Sequence, residues 1–320
     1  MGDISSILPS HFGLQGRAVK ERGSYICRTP NGARKIHKTN EHPHNIQKRF
    51  ALLEQLASAG FDHTDRLFLS RQGTICVNLG RETFVMTRHI TGHETDFDSQ
   101  NDITIALESL AKFHKTARNL DVELPKAPNL LAVWEKEAQD LQQCLKKVDK
   151  KLSDFDMLFL KNAPQFIELA NEAAKALAKT DYTALQTEAV QGGHICHNDL
   201  KEENLIISDE ACYIMRITDA AQDLQLADLA GFIRRYARRS NQEIDPNEFL
   251  EIYGKINPLP ASAPEILYAQ LTYPWPFIKL IKQHYSKKRG WTPIATMSRM
   301  ETILEQQQDF DVYIGKLKNS

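Results

Sequence analysis

Cysteine is scarce in this 320-residue chain: Cys27, Cys76, Cys144, Cys196 and Cys212 are five in number, and no two stand in a C-x-x-C pair. The odd count and the missing pair argue against a disulfide framework and a thiolate zinc site, and point to a reducing, cytoplasmic setting. Neither sign of charge dominates, with 40 lysines and arginines against 41 aspartates and glutamates, so neither nucleic acid nor an anionic membrane is expected as a partner. No apolar run approaches bilayer-spanning length, and no early stretch joins a basic start to an apolar core, so a chain without membrane or export segments is expected. What is there is 42% hydrophobic residues, enough for a sizeable core without covalent staples. The expected partner is a small molecule or a protein.

The first ninety residues carry short β runs and tight turns. Residues 24–28 and 33–37 flank Thr29-Pro30-Asn31-Gly32, and an Asn-Gly turn between two such runs predicts a hairpin. A second hairpin is predicted from residues 67–70 and 75–79 around Arg71-Gln72-Gly73-Thr74, with a further β run over 83–88. Between them Phe50, Leu53, Leu56 and Ala57 recur at helical spacing, and Gly60 supplies a stop. From Asp102 onward the helical period takes over: Ile103, Ala106, Leu107, Leu110 and Phe113 form one stripe, with Asn101 or Asp102 as N-cap. Helix-compatible segments follow over 130–148, 155–178, 229–239, 264–284 and 292–316, interrupted by a loop and two β runs within 195–219. The predicted fold is α+β: a small antiparallel-sheet lobe over 1–90 and a large, mostly helical lobe over 91–320.

The interruption holds the chemistry. His197-x-Asp199-x-x-x-x-Asn204 leads into Leu205-Ile206-Ile207, and Tyr213 to Asp219 follows after a turn. Transfer of a γ-phosphoryl group needs a carboxylate to orient the acceptor hydroxyl, and oxygen ligands for the Mg²⁺ that neutralises the phosphates. Asp199 suits the first role, and Asn204 and Asp219 suit the second. A hairpin between Asn204 and Asp219 would return Asp219 to the metal side. His194 and His197 also stand at i, i+3, but no further ligands at zinc spacing accompany them.

The run from His197 to Asp219 resembles the catalytic and metal-binding loops of the aminoglycoside phosphotransferase and choline kinase superfamily, which is protein-kinase-like and two-lobed. More narrowly, nearly the whole chain resembles the CotS family of spore coat proteins. Residues 56–61 (Leu-Ala-Ser-Ala-Gly-Phe), 87–97 from Thr87 to Phe97, 110–115, Cys196-His197-Asn198-Asp199, Asp228-Leu229-Ala230 and 273–277 (Tyr-Pro-Trp-Pro-Phe) carry it in order and spacing. The resemblance implies ATP as substrate in a cleft between the lobes, a hinge near Thr87 to Thr91 with Thr87 and His89 at the nucleotide, and Mg²⁺ at Asn204 and Asp219. It also implies a protein of the mother-cell cytoplasm assembled into the spore coat beside other coat proteins. It leaves the acceptor, a small molecule or a coat component, unnamed. Lys201 is similar to the lysine that neutralises the transferring phosphate in Ser/Thr kinases, or else is a solvated loop lysine.

Other parts of the pattern are eroded. Kinase-like proteins hold the α- and β-phosphates with a sheet-lobe cation, usually paired with a helix glutamate. Here His37 occupies the usual lysine position, and Lys35 lies two residues back on the same strand face. A histidine with an ordinary pKa is largely neutral near pH 7, so Lys35 is the better cation. Arg49 falls where the glutamate is expected, leaving that role to Glu41 or Glu54. Gly13, Gly16 and Gly23 precede the hairpin without forming G-x-G-x-x-G, so they do not establish a phosphate-cradling loop, and the region directly after Asp219 lacks an Ala-Pro-Glu segment, which argues against a protein kinase. Arg234, Arg235, Arg238 and Arg239 form a basic band at helical spacing, read either as a solvated face or as an anion patch. Tyr273, Trp275, Phe277, Tyr285 and Trp291 are read as core in preference to a cation-binding cage. Two functions follow: an ATP- and Mg²⁺-dependent phosphotransferase, or a kinase-fold coat component with little turnover.

Overall fold

The computed structural model describes residues 4–148, 152–241, 243–286 and 293–319. The chain forms two compact units, one of Met1–Pro125, Gly192–Gln222 and Lys255–Asn257, the other of Lys126–Gln191, Asp223–Gly254 and Pro258–Ser320. The first contains α1 (Ile4–His11), β1 (Val19–Glu21), β2 (Ser24–Thr29), β3 (Gly32–Thr39), α2 (Pro43–Ser58), β4 (Leu67–Phe68), β5 (Cys76–Leu79), β6 (Glu82–Arg88), β7 (His93–Glu94) and α3 (Gln100–Thr116). Its strands are antiparallel in the order β1-β2-β3-β6-β4, with β5 also on β6. The β2–β3 hairpin turns at Pro30-Asn31 with Thr29 opposite Gly32, as the Asn-Gly signal predicts. One face of the sheet packs Cys27, Ile36, Phe84 and Met86 against Leu8 of α1 and Phe12 just beyond it. Strand alternation turns Lys35 and His37 to the opposite face from Ile36.

The second predicted hairpin differs from the one observed. Residues 70–74 do form a turn, closed by Ser70 N–H donating to the Thr74 carbonyl at 2.7 Å. Yet β4 and β5 do not pair with each other; both lie along β6, at Thr87 and Met86 and at Val85 to Glu82 respectively. The hairpin proper is β5–β6, turning through Gly80 at φ 62°, a conformation suited to a two-residue turn. Helix α2 runs as predicted, burying Leu52, Leu53 and Leu56. Helix α3 begins earlier than expected: Ser99, not Asn101 or Asp102, is the N-cap and accepts from Asp102 N–H. The Asp102 carboxylate instead receives Asp96 N–H at 3.1 Å and contacts His93 Nε2 at 2.8 Å.

The same unit holds β8 (Ile195–Cys196), β9 (Leu205–Ser208), β10 (Ala211–Ile214) and β11 (Ala221–Gln222). The β9–β10 hairpin turns through Asp209 and Glu210, both at positive φ, and β7 adds to the other edge of β9. Helix α3 packs on this hairpin. Gly92 makes the approach to β9 feasible, since a Cβ there would stand 2.1 Å from the Ile207 carbonyl oxygen.

The second unit is helical in its described residues: α4 (Leu130–Lys146), α5 (Asp154–Ala178), α6 (Tyr182–Gln191), α7 (Leu226–Arg239), α8 (Pro246–Gly254), α9 (Ala263–Thr272), α10 (Trp275–Tyr285) and α11 (Pro293–Gly315). The segment expected as one helix over 264–284 is two, because Pro274 disfavours helical backbone at Tyr273. Tyr273 stacks on Trp134 with ring centroids 4.2 Å apart and donates to the buried Glu137 at 2.9 Å, and Phe277 stacks on Phe166. These aromatics are core, Trp275 is partly exposed, and Trp291 lies outside the described residues. The arginine band is not a uniform solvated face. Arg234 donates to the Gln270 and Tyr273 carbonyls, and burial pulls its pKa down to about 9. Arg234 and Arg238 both lie over the Phe310 ring.

Candidate active site

The loop between β8 and β9 is built around His197, which is fully buried. Its Nε2 lies 2.8 Å from the Met215 carbonyl, and its Nδ1 accepts the Asp199 backbone N–H at 3.1 Å. Both ring nitrogens are thus engaged in bracing the loop, which argues against a metal-ligand role. Asn198 takes a positive φ of 64° and donates through its side chain to the Asp219 carbonyl, tying the loop to the segment beyond β10. The Asp199 carboxylate is held from two sides. Lys201 Nζ donates to Oδ2 at 2.8 Å, and Asn204 Nδ2 donates to the same oxygen at 3.1 Å and to the Asp199 carbonyl at 2.8 Å.

Asn204 ends a short 3-10 turn, Glu202–Asn204, and is 1% exposed. With Nδ2 committed to Asp199, its Oδ1 is buried without a hydrogen-bond partner among the described residues. A buried lone acceptor is costly unless something meets it, and a hard divalent cation is well suited to do so. Asp219 is exposed. Asp65 reaches the same segment from the sheet side: its buried carboxylate accepts Arg216 N–H at 3.1 Å and stabilises a residue at φ 55°. Burial raises the Asp65 pKa, and Arg49 partly opposes that rise.

On β3, Lys35 is half-buried and pairs in register with Thr87, whose hydroxyl contacts the Lys35 carbonyl. Lys35 has no ion-pair partner among the described residues. His37 is pushed down to about 4 by burial and by the charges of Lys35, Arg49 and Arg216, and its Nδ1 is buried without a partner among the described residues. His89, past the end of β6, is also lowered by burial, with Glu21 and Lys35 within electrostatic range. Neither proposed helix glutamate pairs with Lys35. Glu41 binds Arg49 at 2.9 Å, and Glu54 binds Arg66 at 2.7 Å. Below α2 lies a recess of about 510 Å³ lined by Asn45, Lys48 and Arg49 on one side and by Thr218 and Asp219 on another.

This arrangement can be set beside known proteins. Residues 5–317 match the family described as "Spore coat putative kinase YutH". The chain belongs to that family. Spore coat protein S of Bacillus subtilis (strain 168) is 20% identical over 257 residues, 78% of this chain and 73% of that protein, so the CotS kinship seen in the sequence is borne out. Among solved structures, the aminoglycoside phosphotransferase from Alicyclobacillus acidocaldarius is similar with a TM-score of 0.81 at 15% identity, covering 95% of this chain and 92% of that one. Spectinomycin phosphotransferase APH(9)-Ia, solved with ADP and spectinomycin, gives 0.64 at 14% identity over 98% of each chain. The microcompartment-associated aminopropanol kinase gives 0.60 at 14% identity, again over 98% of each. At these identities the likeness establishes the kinase-like fold.

Within this member of the YutH family, Asp199, Lys201 and Asn204 are brought together directly, and Asp219 is tethered to their loop through Asn198. Lys35, Thr87 and His89 group along the β3–β6 pair, with His37 beside Lys35. Sequence reasoning missed Asp65, which lies in no motif and meets Arg216 across 151 residues. No helix among the described residues is long and apolar enough to cross a membrane.

Proposed function

We propose that the chain is an ATP- and Mg²⁺-dependent phosphotransferase acting on a hydroxyl group of a small molecule or of a spore-coat component. The observation that carries this is Asp199: its carboxylate is fixed by Lys201 and Asn204, while Asn204 keeps a buried, unpartnered Oδ1. Asp199 orients the acceptor hydroxyl and takes its proton, and Lys201, once an acceptor enters, stabilises charge on the transferring phosphate. Asn204 and Asp219 would hold Mg²⁺, which when bound screens the phosphate charge. Lys35, His37, Thr87 and His89 belong to the nucleotide side, and the functional division into lobes 1–90 and 91–320 is part of the same proposal. The spore-coat relative supports a place in the coat; residence in the mother-cell cytoplasm beforehand, and contact with other coat proteins, belong to the same proposal.

A second reading has its own observation. Both helix-side glutamates are taken by arginines, and among the described residues no carboxylate pairs with Lys35. That favours a coat component that keeps the fold and has little turnover. Calorimetry with ATP, with and without Mg²⁺, separates the two when combined with a phosphate-transfer assay on extracts of sporulating cells. The phosphotransferase reading expects Mg²⁺-dependent binding, weakened in Asp219→Ala, and transfer to an extract component. No nucleotide binding by the wild type leaves the coat-component reading standing.

A further inference from the structure

Arg49 lies in the middle of α2 and is 5% exposed, yet only part of its guanidinium is satisfied. Nη2 binds Glu41 Oε1 at 2.9 Å, whereas Nε is buried with no hydrogen-bond partner among the described residues. A guanidinium carries five N–H donors in a planar fork. An arginine kept in a protein for structure alone is ordinarily satisfied along both edges, because a buried, unmet donor costs free energy. Lys35 and Arg216 stand with Arg49 around the neutral ring of His37. The anions at hand are Glu41, which is 28% exposed, the buried Asp65, and in the recess Asp219 and Glu123, the latter paired with Lys48 at 3.2 Å.

Arg49 also borders the recess below α2. Arg49 lines it with Asn45 and Lys48 of α2, opposite Thr218 and the carboxylate-bearing Asp219. At about 510 Å³ it falls within the size range of small-ligand sites. The helix position that usually carries a glutamate paired to a strand lysine is thus a buried cation, and the strand position is a neutral histidine.

We propose that Arg49 is a phosphate ligand of the nucleotide, so that α2 supplies a cation from the helix where kinase-like proteins place a carboxylate. This rests on the phosphotransferase reading and adds to it the residue that grips the polyphosphate. Glu41 is the resting partner of Nη2, and the buried, unmet Nε–H is the donor left for a phosphate oxygen. Planar, bidentate pairing suits arginine and not lysine, so the two are not interchangeable here.

The test is calorimetry with ATP and with adenosine, both with Mg²⁺, on the wild type, Arg49→Gln, Arg49→Lys and the double variant Glu41→Gln/Arg49→Gln. The double variant removes both charges of the pair and guards against unfolding caused by a stranded Glu41. Expected is a loss of ATP affinity of about ten- to a hundredfold in Arg49→Gln and in the double variant, from losing charge-assisted hydrogen bonds. Arg49→Lys falls between, and adenosine binding is unchanged throughout. Equal loss for ATP and adenosine, or undiminished ATP affinity in the double variant, overturns the assignment while leaving the phosphotransferase reading intact. A wild type that binds adenosine and ATP equally, or neither, removes that reading and Arg49's role with it.

Discussion

Lys201 Nζ lies 2.8 Å from Asp199 Oδ2, so the carboxylate proposed to meet the acceptor is already engaged by a cation from its own loop. If that pair addresses the acceptor and not the nucleotide, the two residues should separate binding from transfer. Asp199→Ala is expected to leave ATP affinity within about twofold and to lower phosphate transfer by about 10²–10⁴-fold, the range for a lost general base. Lys201→Ala should lower transfer by about ten- to a hundredfold, through looser placement of Asp199 and lost phosphate neutralisation. Single-turnover transfer and calorimetry on the same samples check both. A Lys201→Ala enzyme with wild-type turnover would make Lys201 an ordinary loop lysine.

Gly92 offers a test of the scaffold and not of the chemistry. A methyl group there would stand 2.1 Å from the Ile207 oxygen and 3.0 Å from Ile206 Cγ2, so the strand that follows Asn204 would have to move. Gly92→Ala is expected to cost about 1–3 kcal/mol, as overpacking in a well-packed site does. Urea unfolding of the variant measures it. Because β9 carries the strain, nucleotide affinity in the presence of Mg²⁺ should fall with stability; full stability and full affinity together would show that β7 and β9 separate freely.

Much of this architecture was legible locally. The β2–β3 hairpin, the apolar stripe of α2 and the β9–β10 hairpin each announce themselves within about ten residues, through turn residues and hydrophobic period. The chemistry of the loop was legible for the same reason, since Asp199, Lys201 and Asn204 are close in sequence and meet within one turn. What failed was non-local. Pairing of β4 and β5 with β6 instead of with each other depends on which edge of β6 is open, and the turn at 70–74 carries no information on that. Arg234 looks like a solvated residue by period, but the carbonyls ending α9 draw it inward. Asp65 and Arg49 acquire their meaning from partners on other elements. The helices α1, α6 and α8 were missed because each spans ten residues or fewer, and in α6 the apolar stripe is weak as well.

His37 supplies the last prediction, because its setting fixes a sign. Burial of the ring first, and then the charges of Lys35, Arg49 and Arg216, push its pKa down to about 4 from an ordinary 6.5. Folded, it binds fewer protons than the unfolded chain does between those values. As pH falls below about 6.5 the unfolded chain takes up the proton first, so stability drops; below about 4 the folded ring is protonated too and this contribution levels off. Asp65 is displaced upward by burial and works in the opposite sense over part of the same range, so the wild type alone does not isolate the histidine. The comparison with His37→Gln does. Urea midpoints measured for both from pH 7 to pH 4 should diverge, the wild type losing up to about 1.4 kcal/mol more per pH unit than the variant. Parallel curves would mean that the folded ring titrates as it does in the unfolded chain, so that neither burial nor the surrounding cations displace it.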